Sequence, residues 1–352
     1  MNPYYINILL LIIMSYFFLI KRNDLHSKKV FCTIASFNWI ILSGLRHLSI
    51  GADTYQYKLS FINACKTSWK DVFNNFIEVY SGITDGKDPG YLFFEKVCSI
   101  FTHNYQVYLI IIAVIFMGLL AYFIYKNSSN PFLSYLLFST LFYAFFAITG
   151  HRQTIATALT VLLGYELIKK RKLCLYILVI IISYTIHKSS IIFLPFYFIY
   201  NKKITKNYII FMLMSIMFSF SYRFQLSEFF KQLAGYEEYG VYEGAGTEVF
   251  TFFLLLMFLV ALYFYPILKK RNINANHYIN ALFLACFFVP LTYINPSAMR
   301  VVQYFSIFIM LALPDIVNCF KKQDKQFILY LVVIILLFLF IKGQPVYLFF
   351  WQ

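Results

Sequence analysis

The sequence is dominated by long apolar runs that are separated by short basic patches. A helix needs about twenty apolar residues to cross a bilayer, and within lipid it satisfies its own backbone hydrogen bonds. With 61% hydrophobic and only 13% charged residues, the chain of 352 residues lacks the polar surface of a soluble protein. We therefore predict an all-α fold, a polytopic integral membrane helical bundle.

The apolar windows predict about twelve transmembrane helices. The first, at 4–20, lacks a basic leader and a small-residue cleavage site, so it is predicted to be a retained helix. The sixth and seventh are short, and Pro195 interrupts the seventh, so they are either two crossings or a broken or re-entrant pair. The predicted segments are 4–20, 30–45, 105–125, 132–149, 153–168, 173–187, 189–201, 208–222, 249–268, 278–294, 300–318 and 327–341.

The net charge of +15 is concentrated in every second loop, for example at 169–172 and 269–271. Lys and Arg accumulate on the cytoplasmic side of membrane proteins, so these loops are predicted to be cytoplasmic and both termini external. The positive charge is then explained by the orientation of the chain in the membrane, and no nucleic-acid partner is needed to explain it.

Two long external loops belong to what we predict as a single membrane domain over 1–352. The loop 46–104 contains an amphipathic stretch around Trp69 and a second stretch in which Asp88 is placed to cap a helix and Pro89 to begin it. Both are predicted to be interfacial helices on the bilayer surface.

In the second external loop, 223–248, Ser227 is predicted to cap a short helix that ends at Gly235. Aromatic rings and carboxylates follow it. This pattern suits a glycan, whose C–H faces pack on rings while its hydroxyls reach acceptors, and it equally suits a solvated connector. The candidate glycan contacts are Tyr236, Glu237, Tyr239 and Tyr242.

Charged side chains at predicted external helix ends are the main candidates for function. Such groups are costly to insert, at about 2.5–3.5 kcal/mol each near the membrane centre and less near the interface. Arg46, Arg152 and Arg300 could converge on one external cavity and bind a lipid diphosphate, because a guanidinium matches phosphate oxygens bidentately. Snorkelling toward lipid headgroups is the alternative for any one of them.

Two histidines and one aspartate are the candidates for proton transfer and positioning. His187 is the first candidate general base and His151 the second, although either could be a polar packing residue. Asp53 could cap the turn after Gly51 or orient Arg46.

Motifs for other chemistries are missing from the sequence. There is no Walker-type loop, dinucleotide turn, zinc-protease helix or nucleophile elbow, so neither a cofactor nor a metal is predicted. The six cysteines lack metal-ligand spacing, and only Cys65 and Cys98 share the external face, where a disulfide is chemically possible.

Several stretches together resemble the EpsG/Wzy-type polysaccharide (O-antigen) polymerase family. "GLRHLSIGADTYQY" (44–57) resembles the family's Gly-Leu-Arg and Gly-Thr-Asp signature, although Asp53 precedes Thr54 here. The resemblance continues, in family order, through "DPGYLFFE" (88–95), "GHRQTIATAL" (150–159), "HKSSIIFLP" (187–195) and "RVVQYF" (300–305).

The resemblance implies a bacterial inner-membrane enzyme with the architecture of the membrane-embedded C-type glycosyltransferases. Its implied substrate is an undecaprenyl-diphosphate-linked oligosaccharide, and its implied partners are membrane lipids, a chain-length regulator and a flippase. The positions that match the family pattern are Arg46, Asp53, Arg152, His187 and Arg300.

The implied reaction is metal-independent glycosyl transfer on the periplasmic face. A hydroxyl of a lipid-linked repeat attacks the anomeric carbon of the growing chain, and undecaprenyl diphosphate leaves. His187, or a carboxylate of the loop 223–248, would accept the proton. A flippase or transporter for lipid-linked sugar, an O-antigen ligase and a sugar O-acetyltransferase are the alternative functions.

Overall fold

In the computed structural model, residues 2–22, 24–84, 86–234, 248–343 and 345–352 are described. Within these residues every regular element is a helix, apart from one isolated β-bridge between Arg46 and Phe349. The predicted all-α class is confirmed.

The chain divides into two compact units, Met1–Ile191 with Tyr330–Gln352, and Ile192–Leu329. The prediction of a single membrane domain stays a prediction. The helices of the first unit begin with α1 (Pro3–Arg22), α2 (Leu25–Gly44), α3 (Thr54–Lys66), α4 (Trp69–Tyr80), α5 (Pro89–Phe101) and α6 (Tyr105–Asn127).

The next two helices of this unit contain π-helical turns. α7 runs as Pro131–Leu137, then as π-turns Phe138–Phe142 and Ala144–Thr149; α8 runs as His151–Thr157, Ala158–Leu163 and Gly164–Lys169, with the middle part in π-helical form. α9 is Leu173–Ile186. π-turns inside helices are often found at functional sites, and here they lie on both sides of the junction at His151 and Arg152.

The helices of the second unit follow α10 (Lys188–Ile199), which begins in the first. They are α11 (Lys206–Ser221), α12 (Arg223–Ala234), α13 (Glu248–Arg271), α14 (Ala275–Tyr293), α15 (Pro296–Ser306) and α16 (Ile309–Val317). α17 (Lys322–Lys342) begins in the second unit and ends in the first.

Five helices in the described residues are long and apolar enough to cross a membrane, or seven if each of two bent pairs counts as one span. The protein is thus a polytopic helical membrane protein, but the predicted number of twelve spans is not confirmed. A bend of 51° between α15 and α16 interrupts the predicted segment 300–318, whereas the bend of 85° between α11 and α12 falls at the end of the predicted segment 208–222. α9 and α10 are shorter than the length a full crossing requires.

Helices occur at both amphipathic stretches predicted in the loop 46–104. Ser68 caps α4 by accepting a hydrogen bond from the Asp71 N–H, and this helix buries Val72 while it exposes Phe73 and Ile77. That these helices lie on the bilayer surface stays a prediction. α3 is a third helix in this loop that the sequence pattern did not indicate.

One smaller prediction is corrected by the structure, and one open possibility is resolved. Ser227 does not begin a helix, because α12 starts at Arg223 and Ser227 lies inside it. Cys65 and Cys98, between which the sequence left a disulfide open, are both free thiols; Cys98 lies in an apolar cluster of the first unit and Cys65 packs against it. The predicted glycan residues Tyr236, Glu237, Tyr239 and Tyr242 lie outside the described residues.

Candidate functional site

The start of α5 forms the first of two polar centres in the first unit. Pro89 occupies the first helical position, as predicted, but Asp88 does not cap the helix with its side chain. Asp88 instead adopts a left-handed backbone conformation, with φ 53° and ψ 56°, that non-glycine residues rarely adopt. This conformation turns the carboxylate away from α5, and backbone strain of this kind often marks a functional site.

The Asp88 carboxylate brings together three groups from α8 and from the junction of α9 and α10. Arg152 donates through Nη1 to Oδ2 at 2.9 Å, and Nδ1 of His187 lies 3.4 Å from the same oxygen. The backbone N–H of Lys188 donates to Oδ1 at 3.1 Å. We call Asp88, Arg152 and His187 the Asp88 centre.

A glycine allows α5 to approach α9 closely enough to form this centre. A Cβ atom built on Gly90 would lie 2.1 Å from Thr185 Oγ1 and 2.7 Å from the Thr185 backbone carbon. Only a residue without a side chain fits this contact. The approach places Asp88, two residues before Gly90, beside His187, two residues after Thr185.

The charges of the Asp88 centre favour an ionised carboxylate. Burial by itself would raise the pKa of Asp88, but the hydrogen bond from His187 and the charge of Arg152 outweigh it, so this pKa lies below its usual range. Asp88 and His187 are buried, whereas the Arg152 side chain is 36% exposed. The arginine is therefore the most exposed member of the centre.

Arg46 and His151 form the second polar centre, the Arg46 centre, where α2 and α7 both end. Arg46 is 1% exposed, and its guanidinium donates to the backbone oxygens of Ser43, Ala147 and Ile148. The last carbonyl groups of a helix lack partners within the helix, and a cation is favourable beside them. Arg46 therefore caps the ends of two helices at once.

A further contact of this guanidinium, with His151, indicates which ring nitrogen of the histidine carries the proton. Arg46 Nη2 lies 2.8 Å from His151 Nε2. Because a guanidinium only donates, Nε2 must accept, and the proton of the neutral ring is then assigned to Nδ1. Nδ1 has no hydrogen-bond partner among the described residues. The ring of Tyr57 stacks on His151 with 4.1 Å between centroids.

Glu95 is a buried carboxyl group farther along α5 than the Asp88 centre. Its side chain is fully buried, and Ser60 Oγ donates to Oε2 at 2.8 Å. The hydroxyls of Tyr108 and Tyr91 are 2.9 Å apart, and hydrogen bonding from both lowers the pKa of this carboxyl. Burial raises the pKa of Glu95 to about 7, since the hydrogen bond from Ser60 opposes the effect only in part.

The predicted site residues thus fall into different places. Arg152 and His187 both contact Asp88. Arg46 contacts His151, the residue that directly precedes Arg152 in the chain. Asp53 precedes α3, is exposed and forms no capping hydrogen bond, and it is not among the contacts of Arg46. Arg300 lies on α15 in the second unit, so its convergence with Arg46 and Arg152 stays a prediction.

Sequence reasoning missed Asp88, Glu95 and Tyr57 as members of the site. The stretch "DPGYLFFE" contained the signal for the first two, since it places one carboxylate just before a mostly apolar helix and a second one inside it. Asp88 was interpreted as a helix cap because Asp before Pro is typical of one. Glu95 gives no local sign that it is buried.

No group of three His, Cys, Asp or Glu side chains in the described part of the chain could hold a metal ion. The family model of EpsG matches residues 29–347, which is nearly the whole chain. No curated protein and no solved structure matches the chain.

Proposed function

Since the chain belongs to the EpsG family, we propose that it is a polysaccharide polymerase that acts on lipid-linked glycans at the outer face of the bacterial inner membrane. The donor is a growing glycan on undecaprenyl diphosphate, and the acceptor is a lipid-linked repeat unit. A hydroxyl of the acceptor forms a bond to the anomeric carbon, and the bond from that carbon to the diphosphate breaks.

The Asp88 centre is the observation that supports this proposal. It joins a partly exposed arginine to a histidine whose Nδ1 is paired with a buried carboxylate. A carboxylate in this position orients an imidazole and stabilises its protonated form. Base function then falls to Nε2 of His187, which is buried before the substrate binds. On this proposal, substrate binding brings the attacking hydroxyl to this nitrogen, which accepts its proton.

Arg152 has the chemistry that the leaving group requires. Only Nη1 of its guanidinium is committed to Asp88, and a guanidinium carries five N–H donors. As the glycosidic bond breaks, negative charge builds on the diphosphate and a fixed cation stabilises it. One such charge pair at about 4 Å contributes on the order of 4 kcal/mol at an effective dielectric constant near 20.

Asp88 has two further effects on this chemistry. It holds Arg152 in place before the substrate binds, which reduces the reorganisation needed in the transition state. Its own negative charge also limits the excess positive charge of the site. On this proposal the arrival of a diphosphate transfers part of the Arg152 pairing from Asp88 to the lipid. Release of the diphosphate restores that pairing.

The experiment is the surface polysaccharide pattern of cells that carry only an Arg152→Ala, His187→Asn or wild-type chain. We expect the wild type to give a ladder and each variant to give a single repeat, with equal amounts of protein in the membrane. A full ladder in the Arg152 and His187 variants would refute the proposal. Loss of every repeat, including the first, would indicate a flippase or a ligase instead.

A further inference from the structure

The segment 345–352 returns to the Arg46 centre and pairs with it. The His47 N–H donates to the Leu348 oxygen at 2.9 Å, and the Phe350 N–H donates to the Leu45 oxygen at 2.9 Å. These two bonds flank the antiparallel bridge between Arg46 and Phe349. The segment therefore holds the backbone of Arg46 from both neighbouring residues. We call it the tail.

Side-chain contacts hold the tail in addition to these backbone hydrogen bonds. The hydroxyl of Tyr347, which is buried, donates to the Leu42 oxygen at 2.9 Å near the end of α2. The Tyr347 ring contacts Tyr4 of α1, with ring centroids 5.2 Å apart, and Phe349, with centroids 4.9 Å apart. The last three aromatic rings are more exposed, and Trp351 stacks on Phe349.

This packing extends beyond the part of the chain that the EpsG family model matches, 29–347. Leu348, Phe349 and Phe350 follow the matched stretch, and Tyr4 precedes it. On the other side, the Gln106 side chain of α6 donates to the backbone oxygens of Gly44 and Arg46. The Arg46 backbone is thus fixed between a helix inside the matched region and a tail that lies partly outside it.

We propose that the tail is a positioning element of the polymerase site, which keeps the Arg46 guanidinium on His151 and so keeps the imidazole proton on Nδ1. This proposal rests on the proposed function, because His151 directly precedes Arg152, which binds the diphosphate in that reaction, at the start of α8. Arg46 is a positioning residue here, since its guanidinium is buried against carbonyl groups and the His151 ring.

Two substitutions at Phe350 separate the backbone bond from the side chain. Phe350→Pro removes the N–H that donates to Leu45, whereas Phe350→Ala keeps it and removes the same half-exposed ring. Loss of one ordinary hydrogen bond changes an equilibrium roughly fivefold. We expect the proline variant to lose roughly fivefold in polymer and the alanine variant to stay within about twofold of the wild type.

An engineered disulfide tests whether polymer formation depends on the pairing of the tail with the backbone around Arg46. His47 and Leu348 stand opposite each other across the bridge, and opposite residues with such a bond lie about 5.5 Å apart at Cα, within disulfide range. We expect His47→Cys with Leu348→Cys to restore the polymer in the Phe350→Pro chain when oxidised and to lose it again when reduced. Each single cysteine variant is the control.

The ring nitrogen of His151 that carries the proton can be measured, and this measurement separates a change at the site from a general loss of folded protein. In ¹⁵N-histidine NMR of the full chain in lipid, the His151 signals are identified by their absence in a His151→Gln chain. We expect a protonated Nδ1 in the wild type and in Phe350→Ala, and a population protonated at Nε2 in Phe350→Pro.

An unchanged ladder and unchanged His151 signals in Phe350→Pro would overturn the inference. Arg152→Ala in the same strain reports on the proposed function separately. If that variant keeps a full ladder, the proposed function fails, and the NMR comparison still decides whether the tail sets the state of His151.

Discussion

Arg46 and Arg152 belong to the same unit and lie at neighbouring polar centres, yet the protein uses their charges differently. The Arg46 guanidinium is buried and bound to three carbonyl oxygens and one imidazole nitrogen. The Arg152 guanidinium is partly exposed and paired with one carboxylate. An arginine that completes helix ends stabilises the fold, whereas an exposed and partly committed arginine can exchange partners with a ligand.

Arg46→Ala is the change that we expect to have the largest effect, and it should act on stability. It removes the partner of three buried carbonyl groups and of His151, at a cost of about 3–5 kcal/mol. We expect little folded protein in the membrane, measured by detergent-resistant fluorescence of a fused reporter. Normal amounts of an inactive Arg46→Ala chain would instead place the role of Arg46 in the reaction, either as the positioning residue of His151 or, as the sequence predicted, as a direct ligand of the diphosphate.

Arg152→Ala should show the opposite pattern, with normal protein and little polymer. Removal of one preorganised donor to a developing charge costs about 2.7–4 kcal/mol, or roughly 100- to 1,000-fold in rate. The measurement is the rate of chain extension in vesicles, divided by the amount of inserted protein. Similar folding losses for both arginine variants would remove the distinction between the two centres.

Asp88→Asn should weaken the reaction less than the loss of Arg152. The amide keeps the size of the side chain but removes the charge that pairs with Arg152 and orients His187, and we expect a loss of roughly 10- to 100-fold. Asp53→Asn is the comparison, because Asp53 was the aspartate that the sequence pattern favoured and it is exposed. A larger loss of activity from Asp53→Asn than from Asp88→Asn would mean that Asp53, which the family resemblance singled out, is the aspartate of the site.

Gly90→Ala should break the approach of α5 to α9. Its methyl group would overlap Thr185, at a cost of about 1–3 kcal/mol, and would move Asp88 away from His187. The matched control is Gly118→Ala on α6, where an added Cβ meets nothing within 4 Å. We expect a lower melting temperature and less polymer for the first variant only. Equal melting temperatures and equal amounts of polymer for the two variants would mean that α5 and α9 can move apart at Gly90 without loss.

Glu95→Gln should change the pH dependence of stability by about 1–2 kcal/mol. Because the pKa of Glu95 is raised to about 7 in the folded protein, the protonated form is favoured by folding. Its contribution is fully present below the unfolded pKa, near 4.5, and is lost as the pH rises through about 7. We expect the wild type to lose thermal stability between pH 5 and 8, and the glutamine variant to lose less.

The sequence predicted which arginines and histidines lie at helix ends, but it did not predict their partners. Arg152 and His187 were identified because charged residues are rare in so apolar a chain. Asp88 was interpreted as a cap, since only the close contact of Gly90 with Thr185 shows that its carboxylate faces α8 and α9. Arg46 was grouped with Arg152, because the sequence carries no sign that two helix ends meet around one guanidinium.

The number of membrane spans shows the same limit. Periodicity and length located helices at the predicted segments, but π-turns, a bend of 85° after Ser221 and the short helix Leu173–Ile186 depend on how neighbouring helices pack. A hydropathy window contains no information on such bends.

The sequence by itself determined that this chain folds as helices in a membrane, because long apolar runs can satisfy their backbone groups there only in that way. Its motifs also determined the family to which it belongs. The tertiary structure alone decided which charge is buried and which is exposed. Contacts between residues far apart in the chain, such as Asp88 with Arg152 or Leu45 with Phe350, set the environment of each charge. That environment determines whether an arginine supports the fold or is able to meet a ligand.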